Sequence, residues 1–141
     1  MKVKRITEYF HWILGTIDKS GIVADRSAAS FKVRSKCQAA VYAPRIRSQR
    51  SGLIFCDNST LNLREEIRIS RSGELDVISY VYHYERPDGF FFRYEKLAEP
   101  HPDPIFEPTL HLHVIHDAPR FPTHCTNLAQ VLDVIRVNFF R

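Results

Sequence analysis

The chain has 141 residues, of which 44% are hydrophobic and 26% charged, values that fit one globular domain over residues 1–141 and exclude a disordered tail. The formal net charge of +4 is unevenly spread, because the segment between Asp25 and Asp57 holds seven Lys and Arg residues and no acidic one. Such a basic segment favours a phosphate backbone or an acidic protein partner, although a solvated strand face followed by a basic loop accounts for it equally well.

The first predicted element is an amphipathic helix over roughly residues 3–19. Its apolar residues recur at spacings of three and four, and Gly21 stands where a left-handed C-terminal cap is wanted. The apolar part, residues 9–17, is interrupted by His11 and Gly15 and is too short to span a bilayer. We therefore expect neither an export signal nor a membrane anchor.

Alternating apolar residues then predict a series of strands. Extended runs at 31–34 and 39–42 are followed by a basic loop at 44–52, and residues 61–69 keep a strict two-residue period. Glu65 falls on the apolar face of that last strand. The pattern indicates a sheet with one buried face, on which a carboxylate is out of place.

A β-hairpin is predicted at residues 88–89, between a strand over 75–84 and one over 90–94, because Asp-Gly is a strong hairpin signal. If these two residues are the centre of the turn, His83 pairs with Tyr94. A bulged turn shifts the register by one residue.

The remaining elements are two loops, a strand and a helix. Four prolines make 98–108 a loop, a strand returns at 110–115, and the proline-containing stretch 117–126 is predicted as a second loop. Asn127 is placed to cap a closing helix, with Gln130 completing a capping box. The elements predict an α+β fold: an antiparallel β-sheet of about five to seven strands flanked by an N-terminal and a C-terminal helix.

Two groups of residues in the second half are suited to catalysis. His83, Tyr84 and Arg93 lie on the two hairpin strands, which could place a general acid or base beside a phosphate-binding cation, or could simply be core aromatics with polar tips at the rim. His111 and His113 are two residues apart on a strand and so face one side. That arrangement suits paired acid/base chemistry, metal binding or a hydrogen-bonded structural pair.

Glu65 needs a partner, because a carboxylate on an apolar face is costly unless it is paired or its pKa is perturbed. Arg93 is the expected partner, and a buried structural ion pair and a catalytic carboxylate are both consistent with the pattern. The candidate nucleic-acid contacts are basic residues of the first half together with one in the second proline-containing loop: Lys32, Arg34, Arg45, Arg47, Arg50 and Arg120.

Several short motifs follow one another along the chain: Asp57-Asn58-Ser59-Thr60-Leu61 with Glu65, Tyr82-His83-Tyr84, Phe92-Arg93-Tyr94 and His111-Leu112-His113-Val114. Their order resembles the TumE-type family of bacterial toxin-antitoxin proteins over roughly residues 53–137. The chain departs from the family pattern at Glu85, where the family has glutamine, and at Glu95-Lys96-Leu97, where it has Asp-Asn-Ala.

The resemblance, the basic segment and the histidine and arginine residues lead to one main functional hypothesis. The chain is expected to be a toxin-like component of a toxin-antitoxin or defence module that acts on RNA, as a ribonuclease without metal or other cofactor. His83 or His113 would be the acid or base, and Arg93 would stabilise charge. The expected partners are RNA and a cognate antitoxin with a helix-turn-helix, with no membrane partner and an open oligomeric state.

Two alternatives remain from the same residues. One is a module that binds nucleic acid or a protein partner without catalysis, and the other is a metal-dependent hydrolase that uses His111 and His113. Three widely spaced cysteines, Cys37, Cys56 and Cys125, form no metal-binding pair and indicate reduced thiols in a cytoplasmic protein.

Overall fold

The computed structural model describes residues 1–44 and 52–140. In chain order the elements are α1 (Ile6–Ser20), β1 (Val23–Asp25), β2 (Ser30–Val33), β3 (Gln38–Ala43), β4 (Leu53–Phe55), β5 (Thr60–Ile69), β6 (Leu75–Glu85), β7 (Phe91–Lys96), β8 (Leu110–Val114), β9 (His116–Pro122) and α2 (Leu128–Phe139). The predicted α+β class, with a helix at each end and an antiparallel sheet, is confirmed. The sheet has nine strands within the described residues, more than the five to seven expected.

The sheet is organised around β5, its long central strand. Strand order along the main path is β1-β4-β5-β6-β7-β8-β9, and every pairing is antiparallel. One edge of β5 is shared, since β4 pairs with its first residues and β3 with its later ones, and β2 adds to β3. The strict two-residue period of β5 is explained by neighbours on both edges and by helices on only one face.

Local sequence signals predict the end of α1 and the start of α2. Gly21 closes α1 in the left-handed conformation with φ 70°, which a glycine adopts without a Cβ clash. Asn127 caps α2, because its side-chain oxygen accepts from the Gln130 backbone N–H at 2.9 Å. The Gln130 side chain accepts from the Thr126 hydroxyl at 3.1 Å, one residue before the partner that a capping box requires.

The helices cover one face of the sheet and form the core with it. Apolar side chains from both helices and from the inward positions of β3, β4, β5, β6 and β7 make one buried cluster. Each large apolar side chain removed from water in this way contributes roughly 1.5–3 kcal/mol. The opposite side of the sheet, here called the open face, receives the alternate residues of the same strands and is largely polar.

The turn between β6 and β7 differs from the simplest prediction. His83 pairs with Arg93, so the predicted pairing with Tyr94 is wrong by one residue. The loop has three residues, Arg86 N–H donates to Phe90 O at 2.8 Å, and Gly89 takes φ 91°. A turn closed by a glycine bulge of this kind shifts the register, as the alternative prediction allowed.

The second predicted loop, residues 117–126, is wrong over its first half. β9 spans His116–Pro122 and pairs with β8, with Leu112 opposite Phe121. Two prolines made this stretch look irregular, but β9 is an edge strand, where a residue without an N–H is tolerated. The predicted basic loop at 44–52 falls mostly outside the described residues.

Candidate functional site

One row of paired residues crosses the open face of the sheet. Asn62 lies opposite His83, His83 opposite Arg93, and Arg93 opposite His113, on four consecutive strands. Directly opposed residues in an antiparallel sheet have Cβ atoms about 4.5–5.5 Å apart, which is within contact distance for long side chains. Three of the residues predicted to carry chemistry, His83, Arg93 and His113, therefore lie in one line.

Glu95 is the centre of the next row and joins several of these residues. It lies opposite His111. Its Oε1 is 2.6 Å from Arg93 Nε and 3.8 Å from His113 Nε2, and its Oε2 is 3.0 Å from His111 Nε2. With Asp117, these four residues form what is called here the ionisable cluster. The prediction that His111 and His113 share one side of a strand is confirmed, and Arg93 lies directly opposite His113.

Both histidines of the cluster are buried, and a backbone carbonyl orients each ring. His111 is 0% and His113 1% exposed. His111 Nδ1 lies 2.6 Å from the Pro108 carbonyl, and His113 Nδ1 lies 2.8 Å from the Asp117 carbonyl. Because a carbonyl oxygen only accepts, each Nδ1 donates its hydrogen. His111 Nε2 lies within hydrogen-bond distance of Glu95 Oε2, whereas His113 Nε2 has no hydrogen-bond partner among the described residues. Burial, and secondarily the charge of Arg93, lowers the pKa of His113.

Arg93 connects the cluster to the surface. Its guanidinium touches Glu95 on one side and donates to Asp117 Oδ1 at 2.9 Å on the other, and its side chain keeps 21% exposure. That hydrogen bond and the arginine charge lower the pKa of Asp117, which is itself 79% exposed. Asp117 follows a tight turn in which Ile115 adopts φ 66° and donates its N–H to Phe91 O at 2.9 Å. The turn thus fixes the position of the Asp117 carboxylate, which in turn orients the guanidinium of Arg93.

His83 is the half-buried imidazole of the row. Its ring stacks on Phe91, with centroids 5.0 Å apart. Unlike the two buried histidines, it lies on a part of the open face that solvent reaches. An imidazole held beside a guanidinium on an accessible surface is suited to proton transfer on an anionic substrate.

A groove of about 510 Å³ runs along the open face beside His83. Asn62 and Val81, which flank His83 on the neighbouring strand and on its own strand, are among its lining residues. The rest of the lining is basic, aromatic or apolar: Lys32, Arg34, Ala40, Tyr42, Ala43, Pro44, Leu63 and Arg64. The groove therefore brings two predicted nucleic-acid contacts, Lys32 and Arg34, to the same face as the row.

The charge of the groove is partly compensated. Arg34 makes two hydrogen bonds to Glu66, at 2.9 and 3.1 Å, and Arg64 contacts the same carboxylate at 3.1 Å. Two guanidiniums sharing one carboxylate leave a net positive charge, and they lower the pKa of Glu66. Lys32 adds an exposed ammonium at the rim, so the groove is suited to an anionic ligand.

Glu65 and Tyr84 lie on the other face of the sheet. Glu65 is fully buried, and its two oxygens accept hydrogen bonds from the hydroxyls of Tyr9 on α1 and Tyr82 on β6. The expected pairing of Glu65 with Arg93 is wrong, because the two residues point to opposite sides. Burial raises the pKa of Glu65, and it raises the pKa of Tyr82 well above its usual value.

Tyr84 takes part in a separate network on the helix-covered face. Its hydroxyl donates to Ser59 Oγ at 3.0 Å and accepts from Arg86 at 2.9 Å, and Arg86 also donates to Asp57 at 3.0 Å. The ring packs against Phe139 of α2, with centroids 5.5 Å apart. These contacts link the β4–β5 turn to the start of the hairpin, so Tyr84 is not brought together with His83 or Arg93.

The remaining predicted contacts are dispersed. Arg120 on β9 lies over the ring of Phe106, 4.8 Å from its centroid, and 3.7 Å from Glu107. Arg45, Arg47 and Arg50 are outside the described residues. Sequence reasoning missed Glu95, although strand alternation places it two residues after Arg93 and hence on the same face.

The fold and the cluster define an α+β protein whose single antiparallel sheet is covered by helices on one face and carries histidine, arginine and carboxylate side chains on the other. None of the helices within residues 1–44 and 52–140 is long and apolar enough to span a membrane. A family model described as Toxin TumE matches residues 19–138. The chain belongs to the TumE toxin family. Searches of curated proteins and of solved structures gave no match.

Proposed function

We propose that this chain is the toxin of a toxin-antitoxin pair and that it cleaves RNA in the cytoplasm without a metal, at the row formed by His83 and Arg93. The pairing of these two residues across β6 and β7 carries the proposal. It puts a group that can accept a proton next to a permanently charged group that can bind a phosphate. Membership of a toxin family implies a cognate antitoxin, and we propose that its partner is a small helix-turn-helix protein.

The chemistry needs only groups that the open face and the RNA supply. His83 accepts the proton of a ribose 2′-hydroxyl, whose oxygen attacks the adjacent phosphorus, and Arg93 stabilises the extra negative charge on the phosphate oxygens. The bond from phosphorus to the 5′ oxygen then breaks, and the imidazolium returns its proton to that oxygen. The products are a 2′,3′-cyclic phosphate and a free 5′-hydroxyl, and the protein ends unchanged.

The buried histidines have a supporting role in this proposal. His111 and His113 are at most 1% exposed and their Nδ1 atoms are occupied by backbone carbonyls, so an RNA backbone does not reach them. They hold Glu95 and the Asp117 carbonyl in place, and these two acidic residues fix the guanidinium of Arg93. We therefore assign proton transfer to His83 and positioning to the cluster.

The groove provides a binding surface for the neighbouring nucleotides. Tyr42 lines the groove with an aromatic ring, and stacking of a base on such a ring contributes about 1–3 kcal/mol. Lys32 on β2 and Arg64 on β5 also line the groove and can contact phosphates. Each lost phosphate contact should reduce the slope of log affinity against log salt by about 0.7 for a single strand.

The proposal is tested with purified protein and a labelled single-stranded RNA in the presence of EDTA. We expect cleavage of RNA but none of the same sequence with 2′-O-methyl riboses, since these lack the attacking hydroxyl. His83→Asn and Arg93→Ala should each lower the rate by about a hundredfold or more. Matched controls are His124→Asn and Arg68→Ala, which remove an exposed histidine and an exposed arginine outside the row.

Two other outcomes would assign a different function. Binding of RNA without any turnover would make the chain a binding module. Cleavage that EDTA abolishes and added metal restores would make it a metal-dependent hydrolase.

A further inference from the structure

The geometry points to a binding site for one transition-metal dication of the zinc class, formed by Glu95, His111 and His113. The inference is independent of RNA cleavage, because none of these three residues is assigned to contact the substrate. It rests on the positions of the three donor atoms, on the hydrogen bonds that orient the two imidazoles, and on one buried nitrogen that has no partner among the described residues.

The three donor atoms are already close to coordination geometry. One ring nitrogen of each histidine and a carboxylate oxygen of Glu95 all lie within 4.8 Å of one another. Zinc bonds of about 2.0–2.1 Å at tetrahedral angles place ligand atoms roughly 3.3 Å apart. Glu95 Oε2 lies 3.0 Å from His111 Nε2 and Glu95 Oε1 lies 3.8 Å from His113 Nε2, so a metal held by both histidines and one of these oxygens would draw the side chains together.

Backbone carbonyls prepare both imidazoles for a metal. The Nδ1–H groups donate to Pro108 and Asp117, which is the outer-shell arrangement that fixes metal-bound histidines in the Nε2-coordinating tautomer. Glu95 is held similarly, because Arg93 contacts Oε1 and leaves Oε2 for the metal. Ligating carboxylates commonly have such a second partner.

The cluster contains one imidazole nitrogen that the described residues leave unsatisfied. His113 Nε2 is buried and has no hydrogen-bond partner within residues 1–44 and 52–140. The Glu95 carboxylate is contacted by Arg93 and by His111 Nε2, whereas His113 Nε2 faces it at 3.8 Å without a hydrogen bond, and buried polar atoms are normally satisfied. A dication at this point would give His113 Nε2 a partner and would take the place of the contact between His111 and Glu95.

The donor set favours transition metals over magnesium and calcium. Imidazole suits zinc, nickel, copper and iron, whereas magnesium and calcium prefer oxygen ligands. The fourth position falls to a water molecule, since the Glu95 side chain keeps 20% exposure. A bound ion would hold β7 and β8 together. Because its ligands are brought together only in the folded state, the unfolding temperature should depend on metal concentration.

The test is a titration of metal-free full-length protein with Zn²⁺ against a chromophoric chelator, followed by thermal unfolding. We expect one Zn²⁺ per chain and a rise in Tm with zinc, and no comparable rise with Mg²⁺. Glu95→Gln and His113→Asn should weaken zinc binding by more than the roughly 10–100-fold that outer-shell changes cost. His83→Asn, which should stop RNA cleavage, should bind zinc as the wild type does, so the two proposals fail separately.

A measurement on the unaltered protein covers the case in which those variants fold poorly. In ¹⁵N spectra of histidine-labelled wild-type protein, zinc should shift the Nε2 signals of two of the seven histidines. Absence of zinc binding at micromolar concentration overturns the inference. So does a shift spread over His101, His116 and His124, which would show that the ion binds surface histidines.

Discussion

Replacing Glu65 by glutamine should change the pH dependence of stability. Glu65 is fully buried, and burial raises the pKa of its carboxyl. The folded protein therefore keeps the proton to higher pH than the unfolded chain does. The stability that this group contributes is complete below the unfolded pKa of about 4.5 and is lost as pH rises towards the folded pKa. Glutamine is neutral at every pH and can still bond both tyrosine hydroxyls.

The size of the effect follows from proton linkage. For each pH unit above about 4.5 at which the native carboxyl is still protonated, the unfolded state gains roughly 1–1.5 kcal/mol relative to the native state. The glutamine variant lacks this term. The difference in free energy of unfolding between the variant and the wild type should grow by that amount per pH unit. It should level off at the pH where the native carboxyl ionises.

Urea denaturation at half-unit steps between pH 5 and pH 9 measures the difference, because the other titrating groups are common to both proteins and cancel. Glu66→Gln is the matched control, since Arg34 and Arg64 lower the pKa of Glu66. The pKa of Glu66 then lies below pH 5 in both the folded and the unfolded state. The difference in free energy of unfolding between Glu66→Gln and the wild type should therefore stay constant over the range. Parallel profiles for wild type and Glu65→Gln would refute the assignment of Glu65 as a protonated buried group.

Three further predictions use the same urea assay. Gly52→Ala puts a Cβ 2.5 Å from a side-chain oxygen and 2.6 Å from a backbone carbonyl oxygen, at φ 82°, and should cost at least about 2 kcal/mol of stability. Gly15→Ala is the matched control: its Cβ has open space in α1, and the change should stabilise the fold by about 0.5–1 kcal/mol. Ile115→Gly relieves a left-handed β-branched residue, and a decrease in stability would contradict the expected gain of about 1 kcal/mol. Arg93→Ala leaves Glu95 paired with His111 and should cost only about 1 kcal/mol; a loss above roughly 3 kcal/mol would make Arg93 a structural residue.

The two helices were predictable because their signals are local. Gly21 and Asn127 act within one turn of their own helix, and the apolar spacing of each helix needs no knowledge of the sheet. β9 was not predictable in the same way, since Pro119 and Pro122 are acceptable only on an edge strand. Whether a strand is an edge is a property of the whole sheet.

The register between β6 and β7 decides which residues meet at the candidate site, and a shift of one residue changes them. With Asp88 and Gly89 as the centre of a two-residue turn, Arg93 would lie on the helix-covered face and His83 on the other. The bulge at Gly89 shifts the pairing and brings both residues to the open face. A dipeptide signal predicts that a hairpin forms, but the difference between two and three loop residues decides which side chains meet.

The same register explains why two glutamates with similar chemistry have different environments. Glu65 and Glu95 lie on opposite faces, and the first is surrounded by tyrosine hydroxyls that donate to it, whereas the second meets a guanidinium and two imidazoles. Low dielectric without a cation favours the neutral carboxyl at Glu65, whereas the carboxylate of Glu95 contacts the Arg93 guanidinium at 2.6 Å. Glu65→Gln should therefore leave zinc binding and RNA cleavage unchanged while it alters stability. Glu95→Gln should lose zinc binding and release Arg93 from one of its two anchors, so its main effect should be on the open face.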